Sequence, residues 1–200
     1  MARIDGLACS ELVGLDPSKT AIKVAHALHP SLNWVHGELP DLLGLFDIVW
    51  TSRVVQHVGD PATFLHECWG HVSPGGQLVV VFPDDRHNVA FPAPPLLQWM
   101  LSGDFDIPNS SDRRVSEKIF AVALGLSDEV EVHAIPLAST KATPELVDVF
   151  FDWRLDALAV AKHVVLDACI EEVAHFRGQA EAGRALLFGF DTALVITKPV

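Results

Sequence analysis

Short runs rich in β-branched and aromatic residues alternate along this chain with stretches of helical periodicity, and that alternation constrains the fold more than any other feature. Strands separated by helices must return in the same direction, so the pattern predicts a mostly parallel sheet covered by helices. Residues 11–15, 32–36 and 46–51 read as strands, the last as the buried-type run F-D-I-V-W-T. Pro74-Gly75-Gly76 reads as a turn feeding L-V-V-V-F at 78–82, the clearest strand in the sequence. Asp16 with Pro17 marks a helix start, and Ile22, Ala25 and Leu28 are expected to face inward before Pro30 ends that helix. Asp60-Pro61 opens another helix, with Phe64, Leu65, Cys68 and Trp69 on one face. Helices are predicted around 95–101 and 112–124, then a strand over 130–137, helices over 143–162 and 164–177, and a closing strand or hairpin over 185–197. The late helices, falling between the last two strands, would form a cap over one edge of the sheet.

The chain has 200 residues, which suits one domain: a cofactor-type core over 11–137, a helical cap over 143–182 and a closing strand over 185–198. Half the residues are apolar and 20% are charged, a composition that supports a packed core and excludes a disordered chain. The formal net charge of −12 argues against nucleic acid and anionic membrane as partners and points to small molecules or proteins. No run approaches the roughly 18 to 20 apolar residues of a spanning helix. The most apolar late stretch is broken by Lys162, His163 and Asp167. The first ten residues carry Arg3 and Asp5 without the apolar stretch of a secretory leader, so a cytoplasmic location is expected. Cys9, Cys68 and Cys169 show no paired spacing, which predicts buried, idle thiols. His57, His66 and His71 have no Cys or carboxylate at a ligand spacing, so no metal site is expected.

Candidate chemistry begins at Asp16. An acidic residue at the carboxyl end of a strand, followed by a helix, can accept both hydroxyl hydrogens of a ribose; it can also serve as a simple helix cap. What surrounds Asp16 adds to the first role. L-V-G-L-D-P-S (12–18), G-E-L-P (37–40), F-D-I-V-W-T-S (46–52), V-V-Q-H-V-G-D-P (54–61) and S-P-G-G-Q-L-V-V-V (73–81) follow one another in an order and spacing that resembles the class I S-adenosylmethionine-dependent methyltransferases. The tail, closing on F-G-F-D-T-A-L-V-I-T-K, is similar to small-molecule members of the trans-aconitate type.

The resemblance implies a Rossmann-like, doubly wound, mostly parallel sheet with an antiparallel last strand and a helical cap inserted before it. It also implies S-adenosylmethionine as cofactor and in-line methyl transfer to a small-molecule acceptor. Asp16, Pro17 and Ser18 would lie at the ribose, Glu38 and Leu39 at the adenine, and Ser52 and Arg53 along the cofactor and acceptor cleft. His57 could act as general base toward a hydroxyl or amine, or could simply pack at a helix end; a carboxylate acceptor would need no base and could be oriented by Arg53. Asp84-Asp85-Arg86-His87 reads as a solvated turn or a substrate contact, and Trp99, Trp153, Phe150 and Phe151 as core packing or a cleft cover.

One departure from the family stands out. Fifteen residues precede Asp16, too few for the family's first strand, glycine-rich loop and helix, so the fold is expected to be truncated at its N-terminus. That first strand is central in the family's sheet. Without it, either its two neighbours pair directly or something else fills the gap, such as a partner chain or a second copy completing the sheet. The alternative function is then a catalytically silent binding or partner subunit.

Overall fold

The structure is a computed structural model that describes residues 11–83, 88–92, 94–102 and 115–200, without the side chains of 137–140. The expectations placed on residues 3–9, 84–87 and 112–114 lie outside it. The chain divides into two compact units, Met1–Leu45 and Phe46–Val200.

In the first unit, β1 (Val13–Asp16) and β2 (Asn33–His36) pair in parallel, joined by helix α1 (Lys19–Leu28). Their register sets Asp16 opposite His36, so both strands end level at their carboxyl ends. Gly14 is required here, because a Cβ would run into the Trp34 ring. That indole in turn donates to the His29 carbonyl at 2.9 Å, fixing the end of α1 over the start of β2. The helix start differs from the sequence expectation. Ser18, not Asp16, is the N-cap: its hydroxyl accepts from Ala21 N–H at 3.2 Å, and Asp16 is the last residue of the strand. Ile22 and Ala25 are the half-buried residues of α1, as expected, whereas Leu28 is 65% exposed and does not belong to the inward face.

The second unit is a five-stranded sheet running β3 (Phe46–Ser52), β4 (Val72–Pro83), β7 (Leu186–Thr197), β5 (Val89–Phe91), with β6 (Val130–Lys141) along the other edge of β7. β3 and β4 are parallel, while β7 is antiparallel to β4, β5 and β6, as expected of a mostly parallel α/β sheet closed by a reversed strand. The predicted glycine turn lies inside β4. Gly75 adopts φ +76°, and the register with β3 shifts between Phe46 and Ile48, so the turn is absorbed into the ladder. Gly76 passes so close to Asp47 that an added Cβ would sit 2.8 Å from its carbonyl oxygen.

β3 is less buried than its sequence suggests. Only Thr51 is buried, and Ile48 and Trp50 are exposed. Among the described residues β3 pairs only with β4, and β1 only with β2.

α2 (Pro61–Gly70) begins at Asp60, whose carboxylate accepts from Ala62 N–H, Thr63 N–H and the Thr63 hydroxyl. Lys198 closes its other end by donating to the Trp69 and Val72 carbonyls at 3.0 and 2.8 Å. Leu65 and Cys68 of α2, Ile119 and Ala123 of α4 (Ser116–Leu126), and Leu78, Val80, Phe82, Leu194 and Ile196 of the sheet are all buried. A second core joins α3 (Pro95–Ser102), α5 (Pro144–Val160) and α6 (Leu166–Glu181) to Ala90 and Leu187; of these, α5 and α6 are the helices expected between β6 and β7. Phe150 and Phe151 belong to it as core, with Trp99 and Trp153 packed against its side.

Two outcomes test this packing. Phe151, fully buried and set edge-on to Phe176, should cost about 3–5 kcal/mol of unfolding free energy when changed to Ala, read from urea midpoints. Asp60 has its carboxyl held below the ordinary 3.8 by the Thr63 hydroxyl and the helix amides. Its contribution is therefore complete above that value and lost as pH falls through the lowered one, so the stability gap between the native chain and Asp60→Asn should be constant from pH 5 to 8 and close on acidification.

Candidate functional site

Asp16, Glu38 and Asp41 lie at or just beyond the carboxyl ends of β1 and β2. Asp16 Oδ1 accepts from Ser18 N–H at 2.6 Å, a local turn that fixes the carboxylate and leaves Oδ2 with no hydrogen bond among the described residues. The backbone amide of Gly37 donates to the Asp16 carbonyl at 3.2 Å, which ties the loop after β2 to the end of β1. His36 adds a contact from its Nε2 to the Pro17 carbonyl at 3.1 Å. Glu38 follows at once, exposed, with its backbone N–H donating to Asp41 at 3.0 Å across a 3-10 turn spanning Leu39–Asp41. Gly37 leaves the room this needs, since a Cβ there would lie 2.7 Å from the Asp41 carboxylate. Asp16, Pro17, Ser18, Glu38 and Leu39 are thus brought to one end of one strand pair. Asp41 was not singled out by the sequence, although its place three residues after Glu38 fits a capping pattern.

The second unit presents a different arrangement at the carboxyl end of β3. Ser52 is the last strand residue, opposite Val81, and exposed. Arg53 then leaves the strand with φ +56°, a left-handed conformation uncommon for a residue with a side chain. Its backbone is held at both sides: Arg53 N–H donates to the Val81 carbonyl at 2.8 Å, and its own carbonyl accepts from the Gln56 side chain at 2.8 Å. The guanidinium donates from Nε at 2.9 Å to Oδ2 of Asp191 on β7, and its Nη2 lies 2.7 Å from the same oxygen as an ion pair. Asp191 is buried, 5% exposed at its side chain, while Arg53 is 47% exposed. Among the described residues Oδ1 of Asp191 has no hydrogen-bond partner, and neither do the buried Thr51 Oγ1 and Gln56 Oε1. His57 ends the 3-10 turn Val55–His57, exposed, with its N–H on the Val54 carbonyl.

Asp191 marks the place where the sheet divides. From Asp191 to Thr197, β7 lies along β4, and from Leu186 to Phe188 it lies along β5; Gly189 and Phe190 between them pair with Ala138 and Pro136 of β6. Open α/β sheets hold ligands beyond the carboxyl ends of their strands, and Arg53 follows the carboxyl end of β3. Sequence reading overlooked Asp191. The available signal was a lone acid inside the apolar run F-G-F-D-T-A-L-V-I, since a buried carboxylate requires a cation or several donors.

Cys68 and Cys169 are buried and unbridged, as expected. Burial, with Glu67 adding repulsion, pushes the Cys68 thiol up to about 12, so it carries no thiolate nucleophile near neutral pH. Among the described residues no group of three or more His, Cys, Asp or Glu could hold a metal ion, and no helix is long and apolar enough to cross a membrane.

Residues 2–80 match the methyltransferase domain family. A trans-aconitate 2-methyltransferase of Deinococcus radiodurans is 33% identical over 80 residues, 40% of this chain and 31% of that protein. An uncharacterized 37.1 kDa transposon protein of Streptomyces fradiae is 31% identical over 115 residues, 54% of this chain and 30% of that protein. The chain thus spans under a third of the length of these relatives. In fold it is similar to the YcgJ protein of Bacillus subtilis, at 13% identity and a TM-score of 0.56 over 95% of this chain and 83% of that one. A phosphoethanolamine N-methyltransferase of Haemonchus contortus, solved with S-adenosylhomocysteine, aligns with a TM-score of 0.52 at 14% identity, over 95% of this chain and 44% of that one. The chain is similar to methyltransferase domains over residues 2–80 and shares the methyltransferase fold. The methyltransferase fold accounts for the element order from β1 to β4 and for the reversed β7.

The strain at Arg53 can be measured. Arg53→Ala removes the ion pair and keeps a side chain in the left-handed region, whereas Arg53→Gly removes both the pair and the strain. The glycine variant should be the more stable of the two by about 1 kcal/mol in urea unfolding.

Proposed function

We propose that this chain binds S-adenosylmethionine and transfers its methyl group in line to a small-molecule acceptor. The observation that carries the reading is Asp16: a carboxylate at the carboxyl end of β1, oriented through Ser18 N–H and tied by backbone to the loop that presents Glu38. A ribose offers two hydroxyl donors, and Asp16 Oδ2 is an acceptor left available for them. Glu38 would accept from the adenine amino group, with Leu39 and Pro17 against the base and sugar. These residues fit the adenosine portion of the cofactor. Residues 1–10, before β1, lie outside those described, so no partner for the methionine portion is assigned there.

When bound, the cofactor supplies an electrophilic methyl on a sulfonium. The chain's own residues bind and orient. Holding donor and acceptor at near-attack distance is worth up to about 7–11 kcal/mol, and neither a metal nor a covalent intermediate is required for it. Ser52 ends β3 and Arg53 and His57 follow it, in the stretch that the resemblance assigns to the cleft. His57, exposed at a turn, would serve a hydroxyl or amine acceptor as base. A carboxylate acceptor is already a nucleophile, and needs orientation alone. The relative named for trans-aconitate supports a small-molecule acceptor, and the net charge of −12 weighs against nucleic acid.

S-adenosylhomocysteine at a hundred times its dissociation constant should stabilise the chain by about 2.7 kcal/mol, raising the melting temperature by several degrees. Asp16→Ala should shrink the rise at a fixed ligand concentration without lowering the melt of the free chain by more than a degree or two, because Asp16 is at a strand end and Ser18 keeps its own cap. A cooperative melt that no concentration of the ligand displaces would reject cofactor binding by this chain.

A further inference from the structure

The Arg53–Asp191 pair is built with more constraint than a surface ion pair has. Arg53 is kept in a left-handed conformation and its backbone is fastened on two sides, to Val81 and to Gln56. Both contacts of the guanidinium are with one oxygen, Oδ2, so the fork is pinned along its Nε–Nη2 side. That leaves Nη1, with two N–H donors, and one N–H of Nη2 on a side chain that remains about half exposed. Asp191 approaches from a strand 138 residues away, is nearly inaccessible, and has its second oxygen without a hydrogen-bond partner among the described residues. A carboxylate buried in this way costs stability unless its partner is worth holding, and strained residues cluster where ligands are gripped. The pair stands at the carboxyl end of β3, where β7 leaves β4 for β5.

We infer that Asp191 is a positioning residue for Arg53, and that the Arg53 fork so held is a receptor for one carboxylate of a bound ligand. Asp191 fixes the plane of the guanidinium and offsets its charge, which leaves a directional, bidentate donor edge rather than a freely moving cation. Two ligands of the proposed reaction can present such a group: the amino-acid portion of the cofactor, or an acceptor that is a carboxylic acid. The inference rests on the methyltransferase reading for the source of the carboxylate, and on the geometry alone for the receptor.

Binding is measured by thermal shift and calorimetry on the full chain, on Arg53→Gln, on Asp191→Asn and on the double variant. The probes are S-adenosylhomocysteine, 5′-methylthioadenosine, which lacks the amino-acid portion, and acetate, succinate and citrate. Loss of a charge-assisted bidentate contact should weaken a carboxylate probe about ten- to a hundredfold. If the cofactor supplies the carboxylate, Arg53→Gln weakens S-adenosylhomocysteine by that factor and leaves 5′-methylthioadenosine within about twofold. If the acceptor supplies it, both nucleosides are unaffected and binding of the simple acids is what falls. In either case Asp191→Asn reproduces part of the loss alone and adds nothing in the Arg53→Gln background, an epistasis that general destabilisation would not produce. Should Asp191→Asn fail to fold, the half-exposed Arg53→Gln still decides whether the receptor exists. Carboxylate affinities unchanged by Arg53→Gln overturn the inference, as does an unaltered chain that binds no carboxylate probe. Failure of both nucleosides to bind the unaltered chain rejects the cofactor reading separately, and the simple acids then judge the receptor by themselves.

Discussion

The larger unit depends on β7. It is the one strand that pairs with three others, taking β6 along the whole of one edge and dividing the other edge between β4 and β5. An antiparallel strand can serve two partners in succession only if its side chains alternate correctly against both. In β7 the alternation is strict: Leu194 and Ile196 face the α2–α4 side with Leu78 and Val80, while Ala193 buries the opposite face with Val79 and Val81. Where the partner changes, Asp191 is the first residue of β7 that pairs with β4, opposite Pro83, and the polar site lies at that point.

A carboxylate at such a junction has few ways to be satisfied. Burial of an unpaired charge is far costlier than any single hydrogen bond can return, so a cation must be brought to it. The nearest strand end belongs to β3, beyond β4, and Arg53 reaches across only by turning out of the strand in a left-handed conformation. Glycine would adopt that backbone at no steric cost, yet it has no guanidinium. The side chain and the strain are therefore one feature: the conformation that is unfavourable for arginine is the one that delivers its fork to Asp191.

These features differed in how far the sequence disclosed them. β4 was legible because L-V-V-V-F after Pro-Gly-Gly combines a turn with an uninterrupted apolar run, and both signals are local. The cap helices were legible for the same reason, with Thr143-Pro144-Glu145 marking the start of α5 through the Thr143 cap. Asp16 was placed at the right strand end, but its role as helix cap passed to Ser18, because a two-residue shift in the cap lies below what residue type alone can fix. Trp50 and Ile48 misled in the opposite sense. Their apolar run predicts a strand covered on both faces, and burial depends on a neighbour that hydrophobicity does not encode. Asp191 was missed because its meaning comes from Arg53, and nothing local links positions 138 residues apart.

The two acidic sites call for opposite physical treatment. Asp16 and Glu38 stand at exposed strand ends where water competes for every hydrogen bond, so affinity there must come from several modest contacts acting together, and loss of one acceptor lowers it in proportion. Asp191 and Arg53 form the reverse case, a desolvated acid holding a partly exposed base. In that setting the direction of the donor edge, more than its charge, determines which ligand is accepted, since the net charge of the pair is zero and only a group matching the fork gains from it. A chain carrying twelve net negative charges repels anionic ligands at long range. Selectivity for a carboxylate must therefore be decided at contact distance, by the geometry that Asp191 imposes on Arg53.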